Sequence, residues 1–176
     1  MADVNELLTR LDLQMINPDF LARIREMLAA CRAAGGDYWA TSGYRSAADQ
    51  DALYAQGRSR PGSVVTNAQG FQSAHNFGLA IDFTKDADAA KSGLQPAWTA
   101  ADYELLGQQA VAHGLVWGGN WKTKDRPHVQ YPGYVSATEL DPLKACYQGA
   151  AVTGADAKAK DLCRLQAVWA TLAKLT

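Results

Sequence analysis

Apolar residues recur along the chain at two spacings, and the change from one to the other marks out the elements. "DVNELLTRL" predicts a short helix begun by Asp3, with Leu7, Leu8 and Leu11 turned inward. "NPDFLARIREMLAACRAAGG" predicts a longer one. Asn17 caps it, Pro18 takes the first turn, Leu21, Ile24, Leu28 and Cys31 form the inward stripe, and Gly35 with Gly36 ends it. "YWATSGYRS" reads as a short strand entering a turn, after which Ser46 and Asp49 make a capping box for a helix that stops at Gly57. Residues 57–77 keep no period and are rich in Gly, Ser, Asn and Arg. A run of that length is usually a binding loop or lid, and residues 57–70 are expected to be mobile when empty. Strict alternation returns in "LAIDF", with Leu79, Ile81 and Phe83 on one face and Ala80 and Asp82 on the other. Thr99 and Asp102 cap a helix through Tyr103, Leu106 and Ala110 that closes at Gly114. "LVWGGNW" and "HVQY" read as two more strands joined by the charged loop "KTKDRP". "GAAVTGADAKA" reads as a linker, and from Asp156 onward Leu162, Leu165, Trp169 and Leu172 share one helical face. The pattern predicts an α+β fold, a small antiparallel β-sheet flanked by helices.

Composition narrows the classes of function. With 48% hydrophobic residues, 176 residues can bury a core without disulfides. The net charge is −1 and Lys and Arg are not gathered into a stripe, so nucleic acid is not expected as a partner. Cys31, Cys146 and Cys163 are odd in number and lack a CxxC spacing, which suits buried thiols made in a reducing compartment and argues against a thiolate metal site. The opening residues are acidic and amphipathic, so neither a Sec-type signal peptide nor stable membrane insertion is expected. Lys158, Lys160, Arg164 and Lys174 lie in the tail helix, but Asp156 and Asp161 dilute them, and docking onto the core is the expected role.

The chemistry gathers around "SAHNFGLAIDF". Asp82 interrupts an apolar strand, and His75 stands just upstream on a glycine-bounded turn. A hydrolytic zinc site needs three nitrogen or oxygen ligands and one open position. His75 and Asp82 supply two; a histidine suits the third place best, and His113 and His128 remain. His113 lies at a helix end, where a histidine suits the helix dipole without any further role. His128 opens a strand after Pro127 and is the better ligand. Asp125, three residues earlier, is the candidate general base. No HExxH is present, so the helical metalloprotease arrangement is excluded. Trp117 and Trp121 read as packing residues rather than a sugar platform.

"SGYRS", "SAHNFGLAIDF" and "WGGNWKTKDRPHVQ", in that order, resemble the D-alanyl-D-alanine carboxypeptidase family of zinc peptidases (peptidase family M15), and within it the phage endolysin branch of L-alanyl-D-glutamate peptidases. The family's SxHxxGxAxD falls on Ser73, His75, Gly78, Ala80 and Asp82, and its acidic-x-x-His on Asp125 and His128. The resemblance implies an M15/Hedgehog-like core with Zn²⁺ held by His75, Asp82 and His128. Asp125 would act as base, Arg45 would contact the substrate's carbonyl or carboxylate, and Ser73 would lie at the substrate. Asn120 stands where relatives often carry Asp, and the base is Asp rather than the Glu of the carboxypeptidase branch. The implied catalytic domain is residues 1–136, with residues 137–176 a helical C-terminal extension packed on it. The implied substrate is the peptidoglycan stem peptide, cut at the L-Ala–D-Glu bond by a monomer. Such an enzyme would wait in the host cytoplasm until a holin releases it to the periplasm and cell wall. Two other readings stay open: a D-Ala-D-Ala carboxypeptidase or dipeptidase, and a non-catalytic zinc-containing wall-binding module.

Overall fold

The computed structural model describes residues 3–88, 91, 93–134, 137–154 and 156–174. The expected boundary at residue 136 and residue 155 of the expected linker lie outside them. The described chain opens with two short 3₁₀ turns, Val4–Leu8 and Leu13–Met15. The first replaces the expected α-helix. It buries Leu7 and Leu8, but the turn ends before Leu11, which is only half-buried.

Helix α1 (Pro18–Ala33) begins as its cap residues dictate: the Asn17 side chain accepts the Phe20 N–H at 2.9 Å, and Pro18 fills the first turn, where no donor is needed. Its inward stripe gains Phe20 and Met27 beside the expected Leu21, Ile24, Leu28 and Cys31. Strand β1 (Tyr38–Ser42) leads into α2 (Ala47–Ala55), whose Ser46 cap accepts the Asp49 N–H. Strand β2 (Ala80–Asp86) is the spine of the sheet. It pairs antiparallel with β1, with the short β3 (Pro96–Ala97) and with β5 (His128–Gln130). Strand β4 (Val116–Trp117) completes the order β1-β2-β5-β4. Helix α3 (Glu104–Ala112) follows a 3₁₀ turn capped by Thr99 and Asp102, and it packs on α1.

Leu79, Ile81 and Phe83 are fully buried, as alternation requires, and Ala80 is buried on the opposite face as well. "LVWGGNW" does not form the expected long strand. It leaves the sheet after Trp117 and turns through a 3₁₀ segment, Gly118–Asn120. Gly118 explains the departure: a Cβ there would meet the Asp125 carbonyl oxygen at 2.4 Å, so only glycine lets this turn pass beneath the loop that carries Asp125 and His128.

Helices α4 (Ala137–Gly149) and α5 (Ala157–Leu172) close the chain. Leu165, Val168, Trp169 and Leu172 of α5 are buried in the same core cluster as β2. The Trp169 indole N–H donates to the Phe77 carbonyl at 2.8 Å, and the Tyr147 ring of α4 lies against Phe71 and Phe77. No helix among the described residues is long and apolar enough to cross a membrane.

Candidate active site

Two turns and two strands bring the site together. Ser73 caps a 3₁₀ turn, Ala74–Phe77, that ends at Gly78 in the left-handed region, φ 65°. A Cβ on Gly78 would also meet the Met15 carbonyl oxygen at 2.2 Å, so this turn admits no other residue without rearrangement. The buried Asn76 amide donates to the carbonyls of Arg45 and Ser46, and the Arg45 N–H donates to the His75 carbonyl at 3.1 Å. The turn after β1 and the turn carrying His75 are thereby zipped together. Across the sheet, Asp82 pairs directly with His128 in the β2–β5 register and with Ser42 in β1.

His75, Asp82 and His128 offer ligand atoms that all lie within 4.8 Å of one another. Asp82 Oδ1 is 3.3 Å from His75 Nε2 and 3.1 Å from His128 Nδ1. Both imidazoles are held from behind. His75 Nδ1 lies 2.7 Å from the Gly43 carbonyl, which can only accept, so this nitrogen carries the proton and Nε2 turns its lone pair inward. Gln130 donates its amide N–H to the Tyr134 carbonyl, which turns its Oε1 toward His128 Nε2 at 2.9 Å. His128 Nε2 is therefore the protonated nitrogen, and Nδ1 faces Asp82. Two imidazole lone pairs and a carboxylate oxygen thus converge with no donor between them, an arrangement that a cation satisfies. All three are nitrogen or oxygen donors, the set that suits zinc with an open position.

With no cation present, the same closeness favours a proton between Asp82 and the histidines. Burial opposes ionisation of Asp82, but the adjacent His75 and His128 outweigh it and hold its carboxyl well below the usual carboxylate range. Burial works against a charged His128, yet Asp82 beside its Nδ1 raises its proton affinity overall, so a proton competes with a cation for that nitrogen. Asp125 is pushed the other way. Crowding by protein raises its carboxyl above the ordinary value, and the Asp82 charge adds to the effect against the pull of the two histidines.

The cleft around these groups measures about 560 Å³ and includes Arg45, Ser73, Asp125, Trp98 and Trp121 in its walls. Asp125 is anchored by its backbone: its N–H donates to Gly118 and its carbonyl accepts from His128. The Arg45 guanidinium is fixed by Gln50 and Ser42, each at 2.9 Å, and stands 4.0 Å from Asp82 Oδ2. Ser73 Oγ accepts the His75 N–H at 3.4 Å, so this residue both caps the turn and faces the cleft. All six residues singled out in the sequence are thus gathered into one cleft. His113 lies elsewhere, at the end of α3, with its Nδ1 2.8 Å from the Gln109 carbonyl. Trp117 is buried as expected, but Trp121 stands in the cleft wall with its ring 5.0 Å from that of His128. Gln130 and Asn76, which orient the two histidine segments, escape a sequence reading. An amide carries no motif until its distant partner is known.

A His-Asp-His cluster with its second nitrogens tied to the protein, in a cleft that also holds the Asp125 carboxylate, is an arrangement that could hold a metal ion through nitrogen and oxygen ligands. Residues 66–131 match the family model described as D-alanyl-D-alanine carboxypeptidase. The chain is similar to the peptidoglycan L-alanyl-D-glutamate endopeptidase CwlK of Bacillus subtilis, 42% identical over 110 residues. That match covers 58% of this chain and 65% of the relative, so the chain spans just under two thirds of the relative's length. Among solved structures, the fold is like that of the D,D-pentapeptidase VanY of a VanB-type resistance cassette, crystallised with Zn(II): TM-score 0.50, 19% identity, 71% of this chain and 77% of that one. The L-Ala D-Glu endopeptidase ChiX of Serratia marcescens also aligns, with TM-score 0.47 and 27% identity over 73% of this chain and 86% of that one.

Proposed function

We propose that this chain is a zinc endopeptidase that hydrolyses the L-Ala–D-Glu bond of peptidoglycan stem peptides. The observation that carries the proposal is Asp125, a carboxylate in the wall of the same cleft as the three converging ligands. A module that only bound the wall would need no such base. His75, Asp82 and His128 would hold the ion. Zinc at that position supplies electrophilic polarisation of an amide carbonyl and acidifies water.

The chain's own residues do the rest. Asp125 accepts the proton of the attacking water and returns it to the departing amine. The C–N bond breaks as a C–O bond forms, leaving L-Ala with a new carboxylate and D-Glu with a free amine. Arg45, already fixed by two side chains, offers the remaining donors of its fork to the carbonyl or carboxylate of the substrate. The endopeptidase activity of the relative CwlK and the Asp at the base position favour this bond over the terminal D-Ala–D-Ala bond.

The further role we propose is that of a phage or prophage lysis enzyme, monomeric and released by a holin. The resemblance of its three ordered motifs to the endolysin branch supports this role. Expression in a Gram-negative host, with and without a co-expressed holin, tests it: lysis should require the holin, and holin-independent lysis would contradict this release route.

Digestion of purified muropeptides by zinc-loaded protein, read by mass spectrometry, tests the bond. The expected product pair is a sugar-linked L-Ala and a peptide with free D-Glu at its amino end. Release of D-Ala alone would make the protein a carboxypeptidase instead.

A further inference from the structure

Trp98, 63% exposed, is the most exposed large hydrophobic side chain among the described residues. It lines the same cleft as the three proposed ligands, together with Val65, itself 55% exposed. Val65 is not merely loose. Its loop is tied back to α2: the Arg58 guanidinium stacks 4.0 Å over Tyr54 and donates to the Thr66 carbonyl and the Asn67 side chain, and Gln50 donates to the Ala68 carbonyl. Two exposed apolar side chains thus stand in the wall of the cleft, and no ring or cation of the described residues covers the Trp98 indole face.

We infer that Trp98 and Val65 form a subsite for the muramyl sugar to which the stem peptide is attached, so that the substrate read is a sugar-linked L-Ala rather than a bare peptide. The inference rests on the proposed L-Ala–D-Glu cleavage and follows from reach. The L-Ala amine is acylated by the lactyl group of the sugar, so the ring begins about two residue lengths, roughly 7 Å, from the scissile carbonyl. A cleft of about 560 Å³ is itself only two or three extended residues across. A sugar that close to the scissile bond lies within reach of the cleft wall. The ligand's chemistry matches what the wall offers: a pyranose presents an apolar C–H face to an indole, and its acetyl and lactyl methyl groups suit Val65. The peptide on the other side of the bond begins with the D-Glu carboxylate, which suits Arg45 and not an indole.

Two measurements on the zinc-loaded protein decide the matter. The first compares kcat/KM for a muramyl tetrapeptide with that for the same tetrapeptide without the sugar. We expect the muramyl form to be preferred and the preference to fall about tenfold in Trp98→Ala, with Trp98→Phe keeping most of it. An unchanged ratio in Trp98→Ala would overturn the subsite. The second needs no turnover: calorimetric titration with muramyl-L-alanine should show binding that is about tenfold weaker in Trp98→Ala. Equal binding by both proteins would likewise overturn it. If neither peptide is cut but the titrations differ, the sugar site stands and the assignment of the bond fails.

Discussion

His128 can hold a cation only through a nitrogen that carries no proton, and at this position a neutral amide makes the choice. Gln130 is buried, its N–H is committed to the Tyr134 carbonyl, and its oxygen is left to accept from His128 Nε2. In Gln130→Met that acceptor disappears and the ring is free to take either tautomer. Zinc affinity, measured by competition with a chromophoric chelator, should fall about 10–100-fold, whereas Gln130→Glu should retain most of it. Asp125 and His128 stand three residues apart but should fail differently. Asp125→Asn keeps size and polarity but cannot take a proton, so it should keep its zinc while turnover on purified peptidoglycan falls about 10²–10⁴-fold. Loss of zinc in that variant would make Asp125 a ligand or a prop. The ligands themselves were legible because each breaks its surroundings: a carboxylate inside an apolar strand, and histidines beside Gly78 and Pro127. Gln130, Asn76 and Trp98 were not, because what they do depends on carbonyls or a cleft contributed from elsewhere in the chain.

Elements were legible in proportion to how locally they are determined. Helices α1 and α2 follow from their caps and stripes, and β2 from its alternation. "LVWGGNW" was misread because its apolar run resembles a strand, while the approach of Asp125 to Gly118 that bends it is a tertiary contact. Helix α4 carries Pro142 in its interior, which hides its pattern from a reading of propensities, and the expected extension was explicit only from Asp156. Docking of α5 onto the core is legible in its apolar face, but its hold on the site is not. Its Asp161 accepts from Tyr44 at 3.1 Å and from Tyr147 at 2.7 Å, and Tyr44 lies between Gly43, which holds His75, and Arg45. Its Trp169 holds the Phe77 carbonyl at the other end of the His75 turn. Helix α5 thus braces both turns of the site. Trp169→Ala should cost about 3–5 kcal/mol in urea denaturation, the usual cost of such a truncation. It should also weaken zinc binding, because the turn that aims His75 loses its support. A stability loss with unchanged zinc affinity would show that α5 supports the core but not the site.

At the scale of the whole molecule, ligands from the 3₁₀ turn Ala74–Phe77, from β2 and from β5 meet only when the sheet is formed. The unfolded chain scatters His75, Asp82 and His128 over more than fifty positions, so a cation should bind the folded state almost exclusively. Binding of that kind adds RT ln(1 + [L]/Kd), about 4 kcal/mol when free zinc exceeds Kd a thousandfold. For a domain of this size each kcal/mol shifts the melting temperature by about 2–4 °C, so saturating zinc should raise it by about 10 °C and a chelator should reverse the gain. The three histidines make this a test of the site and not of zinc in general. His113 is bonded to its own helix and stands outside the cleft, so His113→Ala should keep the full zinc-dependent increment whatever its own stability. His75→Ala and His128→Ala should each lose most of it. Calorimetric scans of the four proteins, with zinc and with chelator, supply the comparison within each protein, so any baseline change caused by the substitution cancels. An increment that survives in His128→Ala but vanishes in His113→Ala would move the metal away from β5 and dissolve the mechanism built on Asp125.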